Sequence, residues 1–214
     1  MKDKMRKIYK KEIIEMDRFT RANLLTSLSG IKAAMLVGTL SKTNVSNVTI
    51  FSSTVHLGSN PGLIGLLVRP QTIRVSDTYK NIKSNNTFTI NHVNKDIIKK
   101  AHYTSAKTLS NTSEFDDVGL QEEYIDGFKS PFVKESDIGL GLIYSDEILL
   151  SNDCTLIVGE IDNIKLNNDL SIENGLIDLS EACSIGVDGI SNYYELNLTE
   201  KHNYIGGGKF PNKI

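Results

Sequence analysis

The sequence predicts a mainly β protein with short helices, an α+β chain built on an antiparallel barrel or sandwich. Two observations carry this. Strand-length apolar runs follow one another directly, five or more of them, with few helical patterns between. The strand–helix–strand alternation of a doubly wound parallel sheet is also missing, which removes the usual nucleotide-binding architecture.

The elements follow in chain order. "FTRANLLTSLSG" places Leu24, Leu25 and Leu28 on one helical face, with Gly30 suited to the stop. "AAMLVGTLS" reads as a buried strand ending near Thr39, followed by the polar turn "KTNVSN". Strands are expected at about 47–54 and 62–69, the second opened by the turn "GSNPG" with His56 leading into it. "SDTYKNIKSNN" has the form of a short helix, capped by Ser76 or Asp77 and stopped at Asn85–Asn86. "TFTINHV" alternates as a half-buried strand does, and "KDIIKKAHYTSA" is a helix candidate. Residues 107–127 are acidic and loop-rich, with one helical turn near 113–118. "IGLGLIYS", "CTLIVGEIDNIKL" and "ACSIGVDG" supply the later strands.

Composition narrows the function classes. A chain of 214 residues is long enough for one sizeable core. Its net charge of -2 and pI near 6.1 give no basic field for nucleic acid. The basic start "MKDKMRKIYKK" leads into no apolar run of signal or membrane length, so residues 1–18 read as a solvated arm. Cys154 and Cys183 lack partners at metal-ligand or redox spacing, and a cytoplasmic location follows. The expected organisation is an arm over 1–18, one domain over 19–200 and a tail over 201–214.

Familiar catalytic motifs fail on specific residues. "GLGLIY" places Tyr144 where a dinucleotide fingerprint needs its third glycine, and it lies within a strand. "GGGKF" has Phe210 where a phosphate-cradling loop needs Ser or Thr, and Asn203 where its first glycine belongs; a C-terminal turn accounts for it better. There is no GxSxG elbow. His56, His92, His102 and His202 show no metal spacing, so no metal site is expected.

A polar constellation remains. Asn47, Ser52, Ser53 and Thr54 occupy a stretch that otherwise reads as core sheet. Hydroxyls there are costly unless the sheet or a ligand takes their hydrogen bonds. Arg69 and Thr72 follow the next strand, Ser76 and Thr78 lie at a helix start, and "AHYTSAK" contributes His102, Ser105 and Lys107. An arginine fork beside a helix N-terminus suits phosphate, although Asp77 would repel it and Arg69 can also be a plain strand-end arginine.

Blocks of this sequence resemble a known family. "SLSGIKAAMLVGTLS", "SNVTIFSSTVHLGSNPGLIGLLVRPQTIRVSDTYKNI", "TFTINHV", "AHYTSAK", "SEFDDVGL" and "PFVKES" are similar, in order and spacing, to the flavin reductase-like family of FMN-binding split β-barrels. The nearer likeness is to its bacterial flavin reductase and flavoredoxin-like branch, and it runs from about Phe19 to about Tyr194. The resemblance implies a Greek-key antiparallel barrel with short helical excursions, FMN as cofactor, and a homodimer with FMN near the subunit interface. It would set Asn47, Ser52, Ser53 and Thr54 against the isoalloxazine edge. Arg69, Thr72, Thr78 and Ser76 would face the phosphate, and His102, Ser105 and Lys107 would lie beside the flavin. The function it implies is hydride transfer from NAD(P)H to flavin, with no indispensable catalytic side chain and His102 as the one candidate. An oxygenase or other electron acceptor would be the partner. Alternatives on the same fold are an FMN-bearing electron carrier acting on another protein or metal complex, and a non-catalytic flavin-binding module. The choice between NADH and NADPH is left open.

Overall fold

The computed structural model describes residues 5–72, 74–106, 112–189 and 191–202. The chain opens with two helices, α1 (Lys10–Glu15) and α2 (Arg18–Leu28), the second capped by Asp17 accepting from the backbone N–H groups of Phe19 and Thr20. Next come β1 (Lys32–Ala33), β2 (Met35–Leu40), β3 (Ser46–Phe51), β4 (Thr54–Ser59) and β5 (Gly62–Val68). Helix α3 (Asp77–Asn85) starts at the Ser76 cap and stops at Asn86 in the left-handed conformation, as the sequence suggests. Strand β6 (Thr87–His92) leads through a 3₁₀ turn into α4 (Ile98–Tyr103), and α5 (Glu114–Val118) ends at Gly119. A small pair, β7 (Glu122–Glu123) and β8 (Phe132–Val133), precedes the long hairpin β9 (Ile138–Leu149) and β10 (Thr155–Leu166). A two-stranded ribbon of β11 (Ile172–Glu173) and β12 (Leu176–Ile177) follows, then β13 (Ile185–Asp188) and β14 (Asn192–Glu195).

Seven strands form one antiparallel sheet in the order β3-β2-β6-β9-β10-β5-β4. Its two outermost strands, β3 and β4, are consecutive in the chain and separated only by Ser52 and Ser53. Two residues span well under about 15 Å, so the sheet must curl until its edges nearly meet. They meet without pairing along their length, which makes a split barrel. The coiling is helped by register shifts in the β9–β10 hairpin at Val158/Gly159 and Ile161/Asn163. Gly159 lets the sheet close over Phe88, whose Cζ would lie 2.6 Å from any Cβ there.

Two apolar clusters flank β2. Met35 and Val37 point into the barrel with Leu66, Val68, Phe88, Ile90, Leu142 and Ile157. Leu36 points the other way, onto Val48, Ile97, Ala101, Phe115 and Ile185. A strand buried on both faces is a continuous apolar run, and "AAMLVGTL" is one.

The structure differs from the sequence expectation in three places. The strand expected at 47–54 breaks at Ser52, and the stretch containing His56 is a strand of its own, β4, hairpinned to β5. "TFTINHV" is buried on both faces, because the 128–133 segment covers its polar side: Thr89 donates to the Pro131 carbonyl at 2.6 Å, and Asn91 accepts from the Val133 N–H at 3.1 Å. The apolar face of α2 is not core, since neither α1 nor α2 has a buried residue. Lys107 and the C-terminal turn at Gly206–Phe210 lie outside the described residues. No helix among the described residues is long and apolar enough to cross a membrane.

Candidate functional site

The site forms where the barrel is split. Ser52, Ser53 and Thr54 make the corner between β3 and β4, all half-buried. The Ser53 carbonyl accepts from Leu67 N–H at 2.9 Å, which ties the corner to β5 two residues before Arg69. No hydroxyl of Ser52, Ser53 or Thr54 has a hydrogen-bond partner among the described residues, and none is sealed from solvent as an unpaired buried atom. Hydroxyls that are neither satisfied by the fold nor free on an open surface suit a ligand edge.

Beyond β5 the chain runs out through exposed Arg69 and Thr72. Gln71 organises this loop: its Oε1 accepts from the Ser76 N–H at 2.7 Å, and its amide N–H donates to the Arg69 carbonyl. Ser76 Oγ accepts from Tyr79 N–H at 3.3 Å as the cap of α3, so its side chain serves the helix. Asp77 is flanked by Lys80 at 3.2 Å and Arg74 at 3.9 Å, which offsets the repulsion it would exert on a phosphate. Arg74, a second exposed guanidinium on the same loop, went unnoticed in the sequence, where nothing separates it from any surface arginine.

The third side comes from α4. Thr104 Oγ1 accepts the Ile50 N–H at 2.8 Å, so the turn after α4 is fastened to β3. Thr104 is 3 % exposed and also donates to the Ala101 carbonyl at 2.7 Å. Sequence reasoning passed over this residue although it stands inside "AHYTSAK". Exposed Ser105 follows it, its hydroxyl donating to the His102 carbonyl at 2.6 Å.

Three expected ligand residues have other tasks. Asn47 is 6 % exposed, its Oδ1 accepting from Thr39 at 3.3 Å and Thr78 at 3.1 Å, while Nδ2 donates to Glu114 at 2.6 Å. Asn81 extends the network to Thr39 at 3.1 Å. Asn47 and Thr78 therefore join β2, β3, α3 and α5 from within, and their polar atoms are committed to the protein. His102 packs edge-on against Tyr193 of β14, ring centroids 5.8 Å apart, with Nδ1 2.9 Å from the Tyr193 hydroxyl. Burial pushes the Tyr193 phenol above its ordinary pKa, so it stays protonated as the natural donor to Nδ1.

Among the described residues no group of three or more His, Cys, Asp or Glu side chains gathers as a metal site. The chemistry available here is recognition by backbone groups, hydroxyls and guanidinium.

Residues 31–184 match the model of the flavin reductase like domain. No curated protein matches the chain significantly. Among solved structures, a flavin reductase with split barrel domain from Shewanella frigidimarina NCIMB 400 is 34 % identical, with a TM-score of 0.89 over 94 % of this chain and 100 % of its own. Nitrilotriacetate monooxygenase component B from Bacillus cereus shares 22 % identity and a TM-score of 0.82, again over 94 % and 100 %. Flavoredoxin of Desulfovibrio vulgaris (Miyazaki F) shares 20 % and 0.72, over 83 % and 93 %.

Proposed function

The chain belongs to the flavin reductase like domain family, and from that premise we propose that it is an FMN-binding oxidoreductase passing hydride from NADH or NADPH to flavin. The observation that carries this reading is the corner at Ser52–Thr54, whose hydroxyls have no partner among the described residues, on the free edge of a split barrel. The Ile50 N–H points off the outer edge of β3 toward Thr104. We take the backbone N–H groups of the corner that follows, where β3 has ended at Phe51, as further donors to the same ligand. Backbone and hydroxyl donors there match the polar rim of an isoalloxazine. Arg69 and Thr72, with Arg74 beside them, suit the phosphate that distinguishes FMN from riboflavin.

Bound flavin would supply the two-electron acceptor that a nicotinamide hydride needs. The residues of this chain hold, orient and shield. Donors at Ser52–Thr54 favour negative charge at the ring edge, and no general base or nucleophile is required of them.

A homodimer is part of the reading. On the outer face of the barrel, Gly65 leaves room for Val55 and Leu156 to close over it, each 2.9 Å from where a Cβ would stand. Val55 and Leu57 are exposed, as is Ile148, which pairs opposite Leu156. An apolar patch of this kind beside the corner is the surface a second copy would cover. We place the enzyme in the cytoplasm, with a flavin-consuming oxygenase as the partner class.

The test is direct. Purified protein should show a flavin spectrum, or acquire one with FMN, and should oxidise NADH or NADPH faster when FMN is added. Tight FMN with no nicotinamide oxidation would favour an electron carrier or a binding module instead.

A further inference from the structure

The N-terminal helices pose a physical problem. Helix α1 has six residues and α2 eleven, and neither buries one in its own chain. Met5, Tyr9, Ile14, Phe19 and Leu28 are all more than half exposed. A six-residue helix is not stable in water by itself, because nucleation is costly and burial of an apolar face supplies most helix stability. Contact with a further apolar surface would stabilise this arm.

A receptor of matching chemistry lies near its root. A groove of about 820 Å³ runs between the β11–β12 ribbon, the turn at 178–181 and the strand exit at 196–202. Its apolar floor and rim include Leu176, Leu179 and Leu198, and its carboxylates are Glu173, Asp178, Glu181 and Glu200 against Lys201 and His202. Lys201 lies 3.4 Å from Glu173 and His202 2.8 Å from Glu200, while Asp178 accepts from the Ser180 N–H at 2.9 Å and also feels the Lys201 charge, which leaves Glu181 as the carboxylate without an ion-pair partner among the described residues. The arm has the opposite character. Over residues 5–11 it reads "MRKIYKK", with Arg6, Lys7, Lys10 and Lys11 basic, no acid, and Met5, Ile8 and Tyr9 between them.

We propose that the arm from Met5 to Lys11 docks in the 171–202 groove of a second copy of this chain, and that the exchange is reciprocal. The place of the arm's root supports the symmetry. Ile31, just after α2, and Leu196, on the groove wall, both crowd Gly186, so root and groove share one end of the molecule. Two copies facing each other through that end satisfy both grooves by a single two-fold operation. Reach is sufficient, since α2, α1 and the extended residues before them span up to about 40 Å. The inference rests on the homodimer reading and adds to it a contact made by other residues than the Val55, Leu57 and Ile148 patch.

Disulfide trapping tests it. Tyr9→Cys and Leu176→Cys are introduced together in a Cys154→Ser, Cys183→Ser chain, with each single replacement as control. Mild oxidation should move the double variant from 23.7 kDa to twice that mass on a non-reducing gel, while each control stays at 23.7 kDa. The exchange is overturned if the double variant consumes its thiols at monomer mass, since the arm then folds back on its own chain. It is overturned equally if both thiols stay free, as they would were residues 203–214 seated in the groove. Sedimentation of the unaltered protein separates the two levels. A dimer with free thiols removes only the arm exchange, whereas a monomer removes the homodimer as well.

Discussion

Thr104 accepts the backbone N–H of Ile50 across 54 residues of chain, at 2.8 Å. That bond caps the free edge of β3 at one point and stations the turn after α4 beside the corner at Ser52–Thr54. Thr104→Val keeps the shape and leaves a half-buried N–H without its acceptor, which costs about 1–3 kcal/mol. Urea unfolding should show that loss, with weaker flavin binding as the turn loosens. Unchanged stability would mean that water replaces the threonine and that the fastening is dispensable.

Arg69 offers an exposed guanidinium at the end of β5, with Arg74 on the same loop. Arg69→Ala should weaken FMN binding by about 1.5–3 kcal/mol, the scale of a hydrogen bond to a charged group, and leave riboflavin binding nearly unchanged. Fluorescence titration with both flavins checks this. Equal losses for FMN and riboflavin would place Arg69 away from the phosphate.

The barrel strands were legible because their apolar runs are long and their turns carry Asn, Pro and Gly. Strand β4 was not, since His56 and the "GSNPG" turn mask a six-residue strand whose outward side chains are exposed. Asn47 shows the limit for the site. A buried amide in a strand signals that a partner exists, yet only the folded chain reveals that Glu114, 67 residues away, takes its N–H. The same holds for Thr78, whose position at a helix start suggested an anion while its hydroxyl turns inward to Asn47. Ser52, Ser53 and Thr54 stood out for the reason that applied to Asn47, and among the described residues their hydroxyls find no such partner.

His92 at the end of β6 gives a pH signature. Burial lowers its pKa from 6.5 to about 4, with Nδ1 3.0 Å from the Ser184 hydroxyl. The folded state thus binds this proton less readily than the unfolded state does. The contribution to stability is fully present above pH 6.5 and is lost as pH falls from there toward 4, about 3 kcal/mol in all. Urea midpoints for wild type and His92→Gln across pH 7 to 4 should converge toward the acid end. Parallel curves would show that the imidazole is not the group responsible.

The last prediction concerns chemistry at the corner. If the residues there act by positioning and by donating to a charged ring edge, no side chain is indispensable as a nucleophile would be. Ser52→Ala, Ser53→Ala and Thr54→Ala should each lower the rate of flavin reduction only partly, because the backbone N–H groups of the corner keep their aim. His102→Ala should also be partial, and its damage should fall more on stability, since the imidazole anchors Tyr193 and with it β14. Stopped-flow bleaching of bound FMN by NADH or NADPH measures each rate, with flavin binding checked in the same variant. A single general acid or base contributes about 10²–10⁴-fold. A loss beyond that range in one variant with normal FMN binding would replace positioning with a side-chain mechanism centred on that residue.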